Sequence, residues 1–202
     1  PHRFNIPIIE TMGLTETGSQ ITTNPMPPAI RKIGSPGTAF GNEIMIADDT
    51  LAAVPTGKIG EILVRGANVM QGYLNQPEET AKTISPDGWL RTGDLGYLDQ
   101  DGYVFVSGRI KELIIKGGEN IAPREIDEAL LEHEAVLEAA AFAVPCENYG
   151  ERVEACIRLK EQVHASASDL LAHCQTRLGK FKSPDTIHIL EDLPKGPSGK
   201  VQ

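Results

Sequence analysis

Residues 88–118 read GWLRTGDLGYLDQDGYVFVSGRIKELIIKGG and decide how the rest of the chain is interpreted. A Thr-Gly-Asp turn places the carboxylate of Asp94 beside a glycine, which permits a tight backbone. A carboxylate can accept hydrogen bonds from two neighbouring hydroxyls at once, as a ribose presents them. Asp94 is therefore a candidate nucleotide ligand. The alternative is that Asp94 only closes an Asx-turn.

The pattern around that turn predicts a fold in two parts. Before residue 110, short alternating runs separated by Gly and Pro turns predict a small antiparallel barrel or sheet, with Asp101-Gly102 as a hairpin turn. Within it, residues 60–65 are expected to form a strand with one solvent-exposed face, where Glu61, Leu63 and Arg65 alternate with Ile62 and Val64. The last ninety or so residues alternate strands and helices. The predicted fold class is α+β, with the boundary at residues 109–112.

Several local expectations can be compared directly with a structure. Residues 6–9 are predicted to be a buried strand. The loop after it either meets a ligand or is a plain polar connection in which Thr15 caps a helix. Residues 34–37 are predicted to be a structural turn. Residues 111–116 are predicted to be a strand. One helix is expected to open at Pro123, the favoured first position for proline, and another to be capped by Ser168.

Composition limits the classes of function. The 202 residues are 40% hydrophobic and 23% charged, which is typical of a globular protein, and the net charge is -9. That charge argues against a nucleic-acid surface or an anionic membrane as partner. The apolar runs are far shorter than the ~20 residues that span a bilayer. Three cysteines without C-x-x-C spacing predict free thiols and a cytoplasmic protein rather than a cysteine metal site.

Five motifs in order resemble those of the adenylate-forming enzymes, the superfamily of acyl-CoA and aryl-CoA synthetases, luciferases and peptide-synthetase adenylation domains. They are MGLTE at 12–16, Gly60-Glu61 with Gly72-Tyr73, RTGD at 91–94, GRIKE at 108–112 with Gly117-Gly118, and PKGPSGK at 194–200. Each motif alone is weak, but the set covers the whole chain. It matches the later part of a family enzyme.

The resemblance implies an organisation of domains. Residues 1–110 would be the end of the large AMP-binding domain, including a β-barrel subdomain, and residues 111–202 a mobile C-terminal lid domain joined by a hinge. The family's phosphate loop and most of its acyl pocket would precede residue 1. The chain is therefore expected to be a fragment that is inactive alone, and robust pyrophosphate exchange by the isolated 202 residues would contradict this.

The resemblance also implies an activity. Family enzymes activate a carboxylic acid with ATP to an acyl-adenylate, release pyrophosphate, and pass the acyl group to a thiol, usually that of coenzyme A. By the matching motifs, Thr15 would contact the α-phosphate and Glu16 would hold Mg²⁺. Asp94 would bind the ribose hydroxyls with Arg109 assisting. Lys200 would bridge carboxylate and phosphate oxygens as negative charge develops.

The remaining implied roles concern the purine, the hinge and the second substrate. Met12 stands where the family usually has an aromatic residue packed on adenine, and a thioether can still pack there beside Gly13. Lys111 occupies the hinge position. After adenylation the C-terminal part is thought to swing about it, so that Gly117 and Gly118 replace Lys200 and admit the pantetheine arm.

Three functions remain open on the sequence alone. The first is an acid:CoA ligase, with ATP, Mg²⁺, coenzyme A and a small carboxylic acid as partners. The second is an adenylation domain that loads a carrier protein, which the product, CoA thioester or acylated carrier, would distinguish. The third is a non-catalytic nucleotide-binding remnant. Joint retention of Glu16, Asp94, Arg109 and Lys200 argues against the third.

Overall fold

The computed structural model describes residues 8–197, 199 and 201, and the predicted α+β fold class is confirmed. Internal contacts divide the chain into two compact units, Pro1–Ile110 and Lys111–Gln202. Among the described residues, no helix has the length and apolar character needed to cross a membrane. The three cysteines are free thiols, and burial raises the pKa of Cys174 to about 11.

The first unit is built mainly from antiparallel strands. In chain order its elements are β1 (Thr11–Met12), a 3-10 turn (Thr15–Thr17), β2 (Thr22–Thr23), β3 (Thr38–Ala39), β4 (Glu43–Ala47), β5 (Gly60–Arg65), α1 (Pro77–Thr83), β6 (Leu90–Leu98) and β7 (Val104–Arg109). Strands β1, β2 and β3 form one sheet in that order, and β4, β5, β6 and β7 form a second. The predicted hairpin at Asp101-Gly102 is confirmed as the connection between β6 and β7.

Strand β5 is the part of the first unit where the periodicity prediction is wrong. Leu63, expected on a wet face, has no exposed surface, and neither do Ile62 and Val64. Because successive side chains of a strand point to opposite faces, burial of all three means that both faces are covered. Ile62 belongs to a core cluster with Ile46 and Val104. At these positions β5 therefore has no solvent-exposed face.

The second unit packs two helices on a mixed sheet. Its elements are a 3-10 turn that begins at the boundary (Ile110–Glu112), β8 (Ile114–Lys116), β9 (Glu119–Ile121), α2 (Pro123–Leu131), β10 (Val136–Cys146), β11 (Gly150–Leu159), α3 (Ala167–Lys182) and β12 (Thr186–Ile189). The sheet order is β10-β11-β8-β9, and β12 pairs in parallel with β11. Ile126 and Leu130 of α2 and Leu170 of α3 join a core with Val153 and Ile157 of β11.

Three local predictions need correction. Lys111 lies in the 3-10 turn, so the strand predicted from residue 111 begins only at Ile114. Ser166, not Ser168, caps α3, because its Oγ accepts from Asp169 N at 3.2 Å. Of the predicted strand at residues 6–9, positions 6 and 7 lie outside the described residues, and Ile8 is 65% exposed in irregular chain.

Candidate functional site

The loop after β1 is held by a close backbone approach at Gly13. A Cβ atom at this position would lie 1.2 Å from the carbonyl oxygen of Ser19. The loop is also closed by Thr17, whose Oγ1 donates to Leu14 O at 3.0 Å and accepts from Leu14 N at 3.2 Å. Thr17 is buried, whereas Thr15 is exposed in the 3-10 turn. The fold therefore fixes the loop and leaves the Thr15 hydroxyl accessible.

We expect Gly13→Ala to destabilise the protein by about 2–3 kcal/mol, because the added methyl overlaps a backbone carbonyl that cannot rotate away. The matched control is Gly41→Ala. At Gly41 there is open space but the backbone has φ +70, so only the roughly 1 kcal/mol cost of a left-handed alanine applies. Denaturant unfolding of both variants measures the difference. Equal losses would mean that the loop moves freely away from Ser19.

Glu16 is joined to a second motif, 57 positions away. Tyr73 Oη donates to Glu16 Oε1 at 3.0 Å, and Met70 N donates to Glu16 O at 2.8 Å. Burial, together with the hydrogen bond to Glu16, raises the pKa of Tyr73, so the phenol stays a donor. The sequence contained Gly72-Tyr73 as a motif but gave no sign that it orients Glu16. Only the folded chain brings the two together.

Glu16 is also the residue predicted to hold Mg²⁺. The described residues include no group of three or more His, Cys, Asp or Glu side chains that could hold a metal. Mg²⁺ commonly binds through one or two carboxylates together with substrate phosphates and water. A half-buried Glu16, oriented by Tyr73, fits a metal that arrives with a nucleotide and does not require an all-protein cage.

Asp94 and Arg109 are brought together by the register of β6 and β7, which pairs the two residues directly. Arg109 Nε donates to Asp94 Oδ1 at 2.7 Å. The Asp94 side chain is 9% exposed and that of Arg109 is 53% exposed. Among the described residues Asp94 Oδ2 has no hydrogen-bond partner. The arrangement offers one carboxylate oxygen and a guanidinium edge to a ligand with neighbouring hydroxyls.

The turn that carries Asp94 is held by two hydrogen bonds of the Thr92 side chain. Thr92 Oγ1 donates to Ile62 O at 2.7 Å and accepts from Asp94 N at 3.0 Å. Gly93 between them has φ 72, a left-handed conformation that favours glycine. The hydroxyl of Thr92 and the left-handed backbone of Gly93 thus fix the turn that presents Asp94.

Met12 lies at the edge of the same unit. Its backbone N donates to Thr22 Oγ1 at 3.3 Å, and its half-buried side chain packs against the cluster of Ile46, Ile62 and Val104. Part of the Met12 side chain is therefore packed in the core. Its contact with a purine stays a prediction.

In the second unit, Gly117 and Gly118 form the turn between β8 and β9. Their φ values of 59 and 86 are both left-handed, as a two-residue hairpin turn of this kind requires. Gly117 N donates to Tyr149 O at 2.9 Å, and both glycines are exposed. Lys111 is exposed in the 3-10 turn at the boundary between units. Both positions are accessible.

Lys200 lies outside the described residues, so its predicted role is not addressed by geometry. Its described neighbours form a turn: Gly199 N donates to Gly196 O at 2.9 Å, and Lys195 and Val201 make an antiparallel bridge. Lys195 is held by Glu138 at 2.9 Å and Asp192 at 3.1 Å.

A cavity of about 580 Å³ in the second unit holds a carboxyl group that sequence analysis missed. Its lining includes Lys111, Asp127, Phe142 and Val201. Ala141 N donates to Asp127 Oδ1 at 2.6 Å. Burial raises the pKa of Asp127 to about 7, although this hydrogen bond acts in the opposite direction. The signal in the sequence, an acid one position after the buried Ile126, was not distinctive.

Asp127 predicts a pH-dependent stability. Its pKa is near 3.9 in an unfolded chain, so between about pH 4 and 7 the folded state holds the proton more tightly. The contribution of Asp127 to the free energy of unfolding therefore falls as pH rises through that window. We expect Asp127→Asn, which keeps the acceptor for Ala141, to raise the melting temperature near pH 8 by a few degrees. The gain should vanish near pH 4, and a pH-independent gain would contradict the assignment.

Comparison with known proteins agrees with these features. The profile of the AMP-binding enzyme family matches residues 2–74, and that of the AMP-binding enzyme C-terminal domain matches residues 125–200. A sulfoacetate–CoA ligase of Cupriavidus necator is 50% identical over 200 residues, covering 99% of this chain and 39% of the relative. An oxalate–CoA ligase of Saccharomyces cerevisiae is 40% identical over 200 residues, covering 98% and 37%.

A solved structure of a CoA synthetase also matches the chain. The o-succinylbenzoate CoA synthetase of Bacillus subtilis, in complex with the acyl-adenylate intermediate OSB-AMP, matches with a TM-score of 0.85 and 38% identity, covering 98% of this chain and 40% of that one. The fold and the motif residues define an adenylate-forming class of protein. The chain belongs to the AMP-binding, adenylate-forming enzyme superfamily. It spans about two fifths of the length of the curated relatives it matches.

Proposed function

We propose that this protein takes part in the ATP-dependent ligation of a carboxylic acid to coenzyme A, in the cytoplasm. The observation that carries the proposal is the pair of Asp94 and Arg109, joined at 2.7 Å, in which Asp94 Oδ2 has no hydrogen-bond partner among the described residues. Similarity to sulfoacetate–CoA and oxalate–CoA ligases over nearly the whole chain supports the same reading.

In the proposed first half-reaction, Asp94 and Arg109 hold the ribose of ATP. The exposed hydroxyl of Thr15 donates to an α-phosphate oxygen, while Glu16 would hold Mg²⁺, which would neutralise phosphate charge. A carboxylate oxygen of the acid attacks the α-phosphorus, and the bond to the bridging oxygen of pyrophosphate breaks. Lys200 supplies positive charge to the oxygens that gain negative charge.

In the proposed second half-reaction, the thiolate of coenzyme A attacks the acyl carbon, and AMP leaves with the electron pair of the acyl–oxygen bond. The exposed turn of Gly117 and Gly118 supports a role in approaching the pantetheine arm, because it presents backbone without side chains. Lys111, in a short 3-10 turn where the two units divide, is a suitable pivot for a change between the two half-reactions.

The names of the relatives suggest a substrate class. Sulfoacetate, oxalate and o-succinylbenzoate each carry a second acidic group besides the carboxylate that is activated. We propose that the acid used by this protein is likewise a small organic acid with two acidic groups.

A panel of acids tests the proposal. The full-length protein is incubated with ATP, Mg²⁺ and coenzyme A, and thioester and AMP are measured for diacids, sulfonated acids and matched monoacids. Thioester formation with preference for a doubly acidic substrate is expected. Acylation of a carrier protein in place of coenzyme A would favour the carrier-loading function. ATP binding without any turnover across the panel would favour a non-catalytic module.

A further inference from the structure

Glu61 is a buried carboxylate that the reaction scheme above does not use. It is 5% exposed and lies on β5, one of the two inner strands of the four-stranded sheet. Arg91 donates to Glu61 Oε2 twice, from Nε at 2.9 Å and from Nη2 at 2.7 Å. Gly93 N donates to Glu61 Oε1 at 3.1 Å. Both oxygens of the carboxylate therefore bind the segment that contains the Thr-Gly-Asp turn.

The register of β5 and β6 shows what this carboxylate holds. Glu61 pairs with Leu95 and Leu63 pairs with Arg91, so the single residue Ile62 faces the three residues 92–94. The extra residues arch out of the ladder as a bulge. A bulge breaks regular pairing and re-aims the side chains that it carries. Here it aims Asp94 at Arg109.

The bulge leaves a backbone donor that the ladder cannot satisfy. Gly93 N, in a left-handed residue of the bulge, finds its acceptor in Glu61 Oε1. A carboxylate buried in a sheet is costly unless it is fully hydrogen-bonded, and Arg91 and Gly93 together satisfy it. Glu61, Arg91 and Gly93 thus form one closed unit directly before Asp94.

We propose that Glu61 is a positioning residue for nucleotide recognition, which acts through the bulge by holding Asp94 at the orientation needed to bind both ribose hydroxyls. The inference rests on the proposed function, since it takes the ribose as the ligand of Asp94. Glu61 itself does not touch the nucleotide. The negative charge of Glu61 is matched by Arg91. Replacing Glu61 therefore alters the geometry of the turn but does not remove the carboxylate of Asp94.

The test is Glu61→Gln in the full-length protein, with Glu43→Gln as matched control. Glu43 makes an Arg pair of the same kind, with Arg65 Nη2 at 2.7 Å and Nε at 3.1 Å, but its side chain is 61% exposed and it pairs with the end of β5 opposite to Glu61. The readout is kcat/KM for ATP relative to 2′-deoxy-ATP in pyrophosphate exchange. Loss of a ribose hydroxyl should cost the unmodified protein about tenfold or more.

We expect Glu61→Gln to reduce that preference by at least about threefold, chiefly through KM for ATP, while Glu43→Gln leaves it unchanged. A lower melting temperature with the preference intact would show a purely structural Glu61 and would overturn the inference. If Glu61→Gln does not fold, Glu61→Asp, which keeps the charge and shortens the reach, gives the same readout.

Asp94→Ala separates failure of this inference from failure of the proposed function. If Asp94→Ala abolishes the preference for ATP and the Glu61 variants do not change it, only the positioning role is wrong. If Asp94→Ala leaves the preference intact, the ribose role of Asp94 is wrong, and the inference falls with it.

Discussion

Replacement of Lys200 by alanine is expected to slow acyl-adenylate formation at least about a hundredfold. The reason is electrostatic: negative charge gathers on the α-phosphate and the departing pyrophosphate, and a lysine ammonium stabilises it most where water is excluded. Pyrophosphate exchange measures this step. The second half-reaction, thioester formation from supplied acyl-adenylate, should change little, because the α-phosphorus is no longer attacked.

Lys195→Ala is the control for Lys200→Ala. It removes the same charge five positions earlier in the same tail, but Lys195 is already held by Glu138 and Asp192 and is not free to reach a substrate. We expect it to leave both half-reactions near their original rates. Equal loss of the two half-reactions in Lys200→Ala would contradict a role confined to adenylation.

Replacement of Asp94 by alanine is expected to lower kcat/KM for ATP roughly a hundredfold. Two hydrogen bonds from ribose hydroxyls to a charged carboxylate contribute about 1.5 kcal/mol each, and tenfold corresponds to about 1.4 kcal/mol. The loss should fall mainly on KM, because the ribose is bound alike before and during the reaction. Arg109 is also left without its 2.7 Å partner. Initial rates over a range of ATP concentrations separate kcat from KM.

Asp87→Ala is the control for Asp94→Ala, because it removes another aspartate from a nearby turn. Asp87 Oδ1 accepts from Ser85 Oγ at 2.6 Å in the turn just before β6, and the hydrogen bond lowers its pKa. Its removal affects a local turn without touching the bulge. A similar rise of KM in both variants would mean that Asp94 acts through general stability. Asp94→Asn, which keeps an acceptor but not the charge, should lie between wild type and Asp94→Ala.

Features that depend on short segments could be predicted from the sequence. The hairpin at Asp101-Gly102 and the helix that opens at Pro123 follow from turn and proline chemistry within a few residues. The hairpin brings Asp94 near Arg109, but a register shift between Leu95 and Gly96, which no local pattern predicts, is also needed to place the two residues opposite each other. The predicted fold class rests on the same local patterns.

Features that depend on distant contacts could not be predicted in this way. Burial of Leu63 requires cover on both faces of β5, and the contact of Glu16 with Tyr73 joins positions 57 apart. The bonds from Glu61 to Arg91 and Gly93 depend on a bulge that no alternation of residues reveals. Near Lys111, local propensity favoured a strand, but the chain turns before entering the sheet.

The contact of Gly13 with the Ser19 carbonyl has a consequence for how this site can diverge. Every substitution at position 13 adds a Cβ that overlaps the backbone carbonyl of Ser19, so no other residue fits there without moving the loop. Met12, whose flexible side chain only borders the core, can be exchanged for other apolar residues at small cost. Variation among descendants of this sequence should therefore accumulate at Met12, while the neighbouring Gly13 stays unchanged.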